Sequence, residues 1–363
     1  MKLTLIPVFL LSSVALIAGR THETTHHTFK DFSKGELNEV SLHTNGYLLP
    51  APALETVADL DAPILWDALT DSKGNLYLGT GNQGVLYKVS SDGELTTVFE
   101  PNRLMARAIA IDSRDQLYVS VSPDGTLYRI SRDGSIEVFL KLPEEYIWDL
   151  QFGDDDELYV ASGSKGIVYK IDTRAKSPEA EVFFDSEETH ITTLAFDAEG
   201  DLLAGSATHG LLYRIDSDGE GDVIYSSGER EVRQILPQED GSIFFTSFNQ
   251  PRRSSSFKKT SSSSSSSKES DKSSGSSFFA DEDKPSNGDT STRPFYGITI
   301  SGADDDASTL YWMDSDGFVT NWWMEKDVSI YSAAELPNGN LILGTGSKGN
   351  LYEVVKPGDW TLL

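Results

Sequence analysis

The sequence predicts an all-β protein, a β-propeller built from four-stranded blades. Three observations carry that prediction. Short apolar runs recur with a period near 41 residues, Asp-Gly and other glycine turns separate them, and no segment sustains a capped 3.6-residue periodicity. The chain has 363 residues, long enough for two domains or one large all-β domain. Its 17 Phe, 14 Tyr and 6 Trp supply a sizeable core. With no cysteine, a disulfide scaffold, a thiolate metal site and a cysteine nucleophile are all excluded. The 57 acidic against 30 basic residues leave a net charge of −27, which excludes a nucleic-acid partner because phosphates need a basic footprint.

In chain order, Met1-Lys2 precedes an apolar run from Leu3 to Gly19, interrupted by Pro7 and Ser12-Ser13. A charged start before a run of this length reads as a signal peptide over 1–19. It is marginal for a membrane span, which needs about 20 residues. The chain is therefore expected to be exported, to the periplasm or beyond the cell, with no integral membrane domain after cleavage. Residues 20–35 read as a linker and 36–363 as the propeller.

The repeat is marked by Leu76-Tyr77, Leu117-Tyr118, Leu158-Tyr159, Leu202-Leu203, Ile243-Phe244 and Leu341-Ile342, with successive steps of 41, 41, 44 and 41 residues over the first five. Leu86-Tyr87, Leu127-Tyr128, Val168-Tyr169, Leu212-Tyr213 and Leu351-Tyr352 each follow their own marker by 10 residues. A glycine turn separates the two markers, and turns such as Ser91-Asp92-Gly93 and Arg132-Asp133-Gly134 follow the second. Each repeat thus reads as four strands, a to d, joined by hairpin turns. One such sheet exposes two apolar faces, and radial packing covers both. That explains why Ala106 to Ile111 is almost continuously apolar rather than alternating.

Six complete units are legible, over 64–99, 105–139, 146–184, 190–225, 231–323 and 328–363. Residues 36–57 mimic strands c and d of one further blade. We expect a seven-bladed ring whose last half-blade is missing from a truncated chain, the alternative being a six-bladed ring with an N-terminal extension.

The blade pattern Gly74-Asn75-Leu76-Tyr77-Leu78-Gly79-Thr80-Gly81 with Leu86-Tyr87-Lys88-Val89 resembles exported bacterial propellers of the broad WD-repeat-like and NHL-like superfamily, in particular a group of large secreted propeller proteins. The resemblance covers about residues 31–363 and implies the fold, not an activity. Trp66-Asp67 and Trp148-Asp149 stand in strand a, not at the end of strand c where WD repeats carry that dipeptide. The metal-ligand opening of gluconolactonases, the paired glycines of kelch repeats and the tryptophan-docking motif of quinone dehydrogenases do not occur.

In the fifth unit, Ile243 to Leu310 spans 67 residues where other units need 10. The excess, over 251–307, is serine-rich low-complexity chain expected to be disordered. Loop closure makes it cost about 2–3 kcal/mol. It reads as a solvated spacer. The alternative is a basic arm, because Arg252 to Lys272 carries a net +4.

Alignment of the repeats puts Trp66, Arg107, Trp148, Thr192, Arg233 and Tyr331 at one position of strand a, next to the central channel, with His190 and His209 on the same face. As a ligand site, the arginines would hold a carboxylate or phosphate and the indoles would stack on a sugar or aromatic ring. The plain alternative wedges Trp66 and Trp148 between blades and pairs Arg107 and Arg233 with Asp67 and Asp149. His190 and His209 lack the third ligand a metal site needs. Asp216, Asp218 and Asp222 are weak calcium candidates in what reads as an ordinary hairpin turn, and no other cofactor is expected. Asp154-Asp155-Asp156 reads as a solvated a–b turn. No acid–base set recurs at the channel positions, so no catalytic residue is assigned. The expected function is a non-catalytic binding module for a protein, glycan or small-molecule ligand at the channel mouth. The alternative is a sugar-acting hydrolase, lactonase or lyase with its active site there.

Overall fold

A computed structural model describes residues 28–101, 103–154, 156–249, 308–346 and 349–363. The expected signal peptide over 1–19 and the serine-rich insertion over 251–307 lie outside the described residues. A single helical turn, Phe29–Phe32, falls in the expected linker, where Thr28 and Asp31 close a capping box. No helix among the described residues is long and apolar enough to cross a membrane.

Everything else regular among the described residues is antiparallel sheet. Unit 1 comprises Leu65–Thr70, Leu76–Gln83, Leu86–Val89 and Leu95–Phe99 as strands a to d. Unit 2 comprises Arg103–Ile111, Leu117–Ser122, Thr126–Ile130 and Ile136–Lys141. Unit 3 runs through Ile147–Phe152, Glu157–Ser162, Ile167–Asp172 and Glu181–Asp185. In unit 4 the strands are His190–Phe196, Leu202–Ala207, Leu211–Ile215 and Gly221–Ser226. Unit 5 has Glu231–Pro237, Ile243–Phe248, Ser308–Met313 and Val319–Met324, with residues 251–307 falling in sequence between its strands b and c. Unit 6 ends the chain with Ile330–Glu335, Leu341–Thr345, Leu351–Lys356 and Asp359–Leu362.

The core lies between units, as radial packing requires. One apolar cluster joins Leu86 and Phe99 of unit 1 to Ile109 and Val119 of unit 2. The next joins Tyr118 and Leu127 to Ile147 and Leu158. Others link units 3 and 4, 4 and 5, and 5 and 6. Among the described residues no such cluster spans units 6 and 1. Leu65, which opens strand a of unit 1, is 52% exposed, whereas its equivalents Ala106, Ile147, Ile191, Val232 and Ile330 are 0–1% exposed.

The N-terminal segment corrects the sequence expectation. Val40–His43 and Leu48–Pro50 form a hairpin, but it starts no blade of its own. Val40–His43 pairs with the final strand, Leu42 opposite Leu362 and His43 opposite Thr361, and so extends unit 6 outward. Covering an otherwise open edge is the physical reason. Leu42 is fully buried there, and His43 Nε2 meets Asp359 Oδ1 at 2.9 Å. Leu54 and Val57, expected in an outer strand, lie in irregular chain and are exposed.

Candidate functional site

Strand a of every unit carries an irregularity at the aligned position. Pairing with strand b skips from Leu65 to Asp67, Ala106 to Ile109, Ile147 to Asp149, Ile191 to Thr193, Val232 to Gln234 and Ile330 to Ser332. Trp66, Arg107, Trp148, Thr192, Arg233 and Tyr331 are thus all bulged residues. A bulge re-aims the extra side chain out of the ladder, which is why bulges gather at rims and sites.

Arg107 lies between two indoles. Its guanidinium carbon is 4.9 Å from the Trp66 ring and 5.5 Å from the Trp148 ring. Burial pulls the guanidinium below the ordinary arginine value, opposed by Asp149, Asp67 and Glu231, while Arg233 adds to the lowering. Glu231 and Arg233 belong to unit 5 and Arg107 to unit 2, so the charges of unit 5 are felt by Arg107 across the ring. Arg233 stacks on Phe248 at 4.0 Å and Tyr331 at 5.1 Å, and pairs with Glu231 at 3.1 Å.

Trp148 Nε1 donates to His190 Nδ1 at 3.1 Å, and the Ser164 N–H reaches the same nitrogen at 3.3 Å. With Nδ1 accepting, the proton of the neutral ring sits on Nε2. Burial also holds this imidazole below its ordinary value, against the pull of Glu231. His190 is therefore set up as a donor and not as a base. Tyr146 stacks on Trp148 with ring centres 5.4 Å apart. Gly163 makes the arrangement possible: a Cβ there would lie 2.5 Å from Trp148 Nε1 and 2.7 Å from His190 Nδ1. Gly81 and Gly346 provide the same notch for Trp66 and Tyr331. Where the strand-a residue is smaller or cationic, the notch position holds Ser122, Ala207 or Phe248.

The acidic partners differ from the plain alternative. Asp67 accepts the N–H groups of Ala68 at 2.8 Å and of Ile109 at 2.8 Å. Asp149 accepts those of Leu150 at 2.8 Å and Leu194 at 2.7 Å. Each carboxylate staples its strand a to strand a of the next unit. Gln234 does the same for unit 6 through both polar groups of Ala333. Burial, with Asp67 nearby, pushes the Asp149 carboxyl up to about 7, against those N–H groups and Arg107. Thr192 is not part of the mouth, since its hydroxyl is buried against Val232 O at 2.6 Å and bridges unit 4 to unit 5.

The structure does not join the two histidines. His209 Nδ1 is 2.7 Å from Glu188 Oε1 in the b–c turn of unit 4, away from His190's partner Trp148. Glu188 belongs to a set the sequence reading missed. Glu144, Glu188 and Glu229 each stand four residues before a bulge, are buried, and bind strand b, strand c or the turn between them in their own unit. Tyr169 donates to Glu144 at 2.6 Å, His209 and Ser206 bond Glu188, and Thr309 donates to Glu229 at 2.9 Å. Their recurrence at one aligned position was visible in the sequence.

Asp216 uses Oδ1 to accept from Asp218 N at 3.0 Å and Glu220 N at 2.9 Å, the turn that Asp314 repeats in unit 5. Asp222 lies in the outer strand opposite Arg214. Among the described residues no group of three or more His, Cys, Asp or Glu could hold a metal ion. Asp156 is not a solvated turn residue as expected. It is buried and accepts from Ser113 N at 3.2 Å, Ser113 Oγ at 2.6 Å and Arg174, tying the a–b turns of units 2 and 3 together.

A ring of strand-a bulges around an axis, with cores between successive four-stranded sheets, defines the β-propeller class. No protein-family model and no curated protein matches the chain. Among solved structures, virginiamycin B lyase from Staphylococcus aureus aligns with a TM-score of 0.52 at 10% identity, covering 82% of this chain and 94% of that one. The extracellular domain of a hybrid two-component system protein from B. thetaiotaomicron aligns with a TM-score of 0.54 at 15% identity, over 81% of this chain and 32% of that one. At such identities the likeness is one of fold.

Proposed function

We propose that the chain is an exported propeller module whose channel mouth binds, without catalysis there, an acceptor-rich ligand, a glycan in the first instance. The observation that carries this is a set of buried donors. Trp66 Nε1, Arg107 Nε and Arg233 Nη1 are buried and have no acceptor among the described residues. Buried donors without acceptors are costly, and a ligand presenting hydroxyl or carboxylate oxygens would satisfy them. The indole of Trp66 adds an apolar face suited to a sugar ring. The test is a calorimetric titration with an acidic oligosaccharide, oligogalacturonate, and a neutral one, cellohexaose. Trp66→Phe keeps the ring and removes one donor, so it should weaken binding about tenfold, the worth of roughly one hydrogen bond. Equal affinity in Trp66→Phe, or no heat with either sugar, would count against the reading.

Export rests on the leader read in residues 1–19. For the ring itself, we read six units around seven places, because the outer faces of units 1 and 6 share no core. The second reading is an enzyme, a hydrolase, lactonase or lyase acting on a sugar. The observation favouring it is that His209 and Glu188 stand on the same face as the mouth, in a fold that also carries a lyase.

A further inference from the structure

The b–c turn of unit 4 holds an imidazole that the channel-mouth reading does not use. Glu188 is buried and His209 is not: their side chains are 7% and 71% exposed. One carboxylate oxygen of Glu188 is 2.7 Å from His209 Nδ1. The other accepts from His209 N at 3.3 Å and Ser206 Oγ at 3.3 Å. A carboxylate cannot donate, so Nδ1 carries the ring proton and the lone pair of Nε2 is left on the outward side. This is the opposite tautomer from His190.

The turn beneath it is over-determined. Thr208 has φ 112, a conformation β-branched residues rarely adopt. It is held there by its N–H on Arg230 O at 2.7 Å. On the other side of the turn, Gly210 has φ 60 and lies against Glu229 O, where a Cβ would come within 2.3 Å. Elements leading into units 4 and 5 therefore fix where the imidazole points.

Unit 3 shows what the same clamp looks like without this feature. There the turn-tip residue is Lys165, whose Nζ lies 4.0 Å from Glu144 Oε1. A lysine serves the structural role of pairing with the buried glutamate. Unit 4 puts an imidazole in that place, whose second ring nitrogen is a lone-pair acceptor where lysine has only N–H donors.

We propose that His209 is a general base positioned by Glu188, whose Nε2 takes a proton from a water or hydroxyl on the channel-mouth face. In that step the O–H bond breaks, its electron pair stays on oxygen, and the new imidazolium is balanced by the Glu188 carboxylate. When water is activated this way beside an acyl ester, its oxygen adds to the carbonyl carbon, the ester C–O bond breaks, and the alkoxide or phenolate leaves with that bond's electron pair. The acid and the imidazolium then release their protons to solvent. The inference rests on the turn alone and not on any ligand at Arg107.

The probe is p-nitrophenyl acetate, hydrolysed by the full chain. The other histidines are common to every variant and cancel. His209→Lys, the residue type unit 3 uses, should keep the melting temperature and lose the His209-dependent part of the rate. Glu188→Gln keeps one acceptor oxygen for the clamp but loses the charge, and should lower that part about tenfold. The His209-dependent part should also slow in heavy water, as proton transfer requires. A His209→Lys rate equal to wild type, an unchanged rate in folded Glu188→Gln, or a His209-dependent rate insensitive to heavy water would each overturn the proposal. Because this probe needs no Arg107 or Trp66, loss of sugar binding and loss of this rate are separate outcomes.

Discussion

Replacing Gly163 by alanine tests whether the bulge and the notch were built for each other. On most strand positions Gly→Ala stabilises slightly, by about 0.4–1 kcal/mol, because it restricts the unfolded chain. Here the new Cβ would lie 2.5 Å from Trp148 Nε1, 2.7 Å from His190 Nδ1 and 3.0 Å from Tyr146 Cβ. The indole has nowhere to go. Tyr146 stacks on it, Arg107 lies over it, and its N–H is bonded to His190. Overpacking costs about 1–3 kcal/mol and a lost hydrogen bond about 1 kcal/mol more. Against the entropic gain, the expected net loss is about 1–3 kcal/mol. Gly346→Ala meets Tyr331 at 2.3 Å, but that ring is 60% exposed and can swing away, so its cost should stay below about 1 kcal/mol.

The decisive measurement is a double-mutant cycle with Trp148→Thr, which reproduces the natural combination in unit 4 of Thr192 with Ala207. Urea unfolding followed by circular dichroism gives the four stabilities. With Trp148 gone, Gly163→Ala should be neutral or mildly stabilising, a coupling of about 1–3 kcal/mol. If the glycine substitution costs the same in both backgrounds, or nothing in either, the notch does not explain the glycine.

Two further outcomes follow from the packing. Ile147→Ala should cost about 2–5 kcal/mol while Leu65→Ala, at the equivalent place, should cost under about 0.5 kcal/mol, because one side chain is fully buried and the other is 52% exposed; equal losses would mean that unit 1 is covered in solution. The bonds from Ser113 and Arg174 hold the Asp156 carboxyl down at about 2, below its usual 3.8, so its contribution is complete above pH 4 and is lost as pH falls through 2. Thermal melts of wild type and Asp156→Asn should differ most near pH 6 and converge toward pH 2; a gap that is constant or widens in acid would refute the assignment.

The strand grammar was legible because it is local. Leu-Tyr markers 10 residues apart and Asp-Gly turns report hairpin geometry that neighbouring residues dictate. The aligned ring from Trp66 to Tyr331 was legible for the same reason, since a fixed period returns each residue to the same place. What was not legible depended on partners distant in sequence. No local signal says that Val40–His43 will choose the edge of Asp359–Leu362. Nor does any local signal say that Asp67 will bond Ile109 N, 42 residues on, rather than Arg107. Asp156 looked like part of an acidic turn, and only the neighbouring unit's Ser113 gives it a buried role. The glutamates before the bulges are the exception, because their period was present and unread.

Site and scaffold are the same residues in this ring. In Trp66-Asp67 and Trp148-Asp149, the first residue is turned to the axis by the bulge and the second staples the neighbouring strand a. The register that frees the indole is thus the register that places the carboxylate. A change at the mouth is therefore transmitted to the contact between units 1 and 2 or units 3 and 4, which is where their apolar cores begin. The b–c turn of unit 4 escapes this coupling. Glu188 holds His209 from the lead-in to its own unit, and a lysine fills the same place in unit 3, so the tip can change without disturbing a staple. Turn tips of this kind give a propeller freedom to vary its chemistry without disturbing its staples, and it is at such a tip that we propose His209 acts.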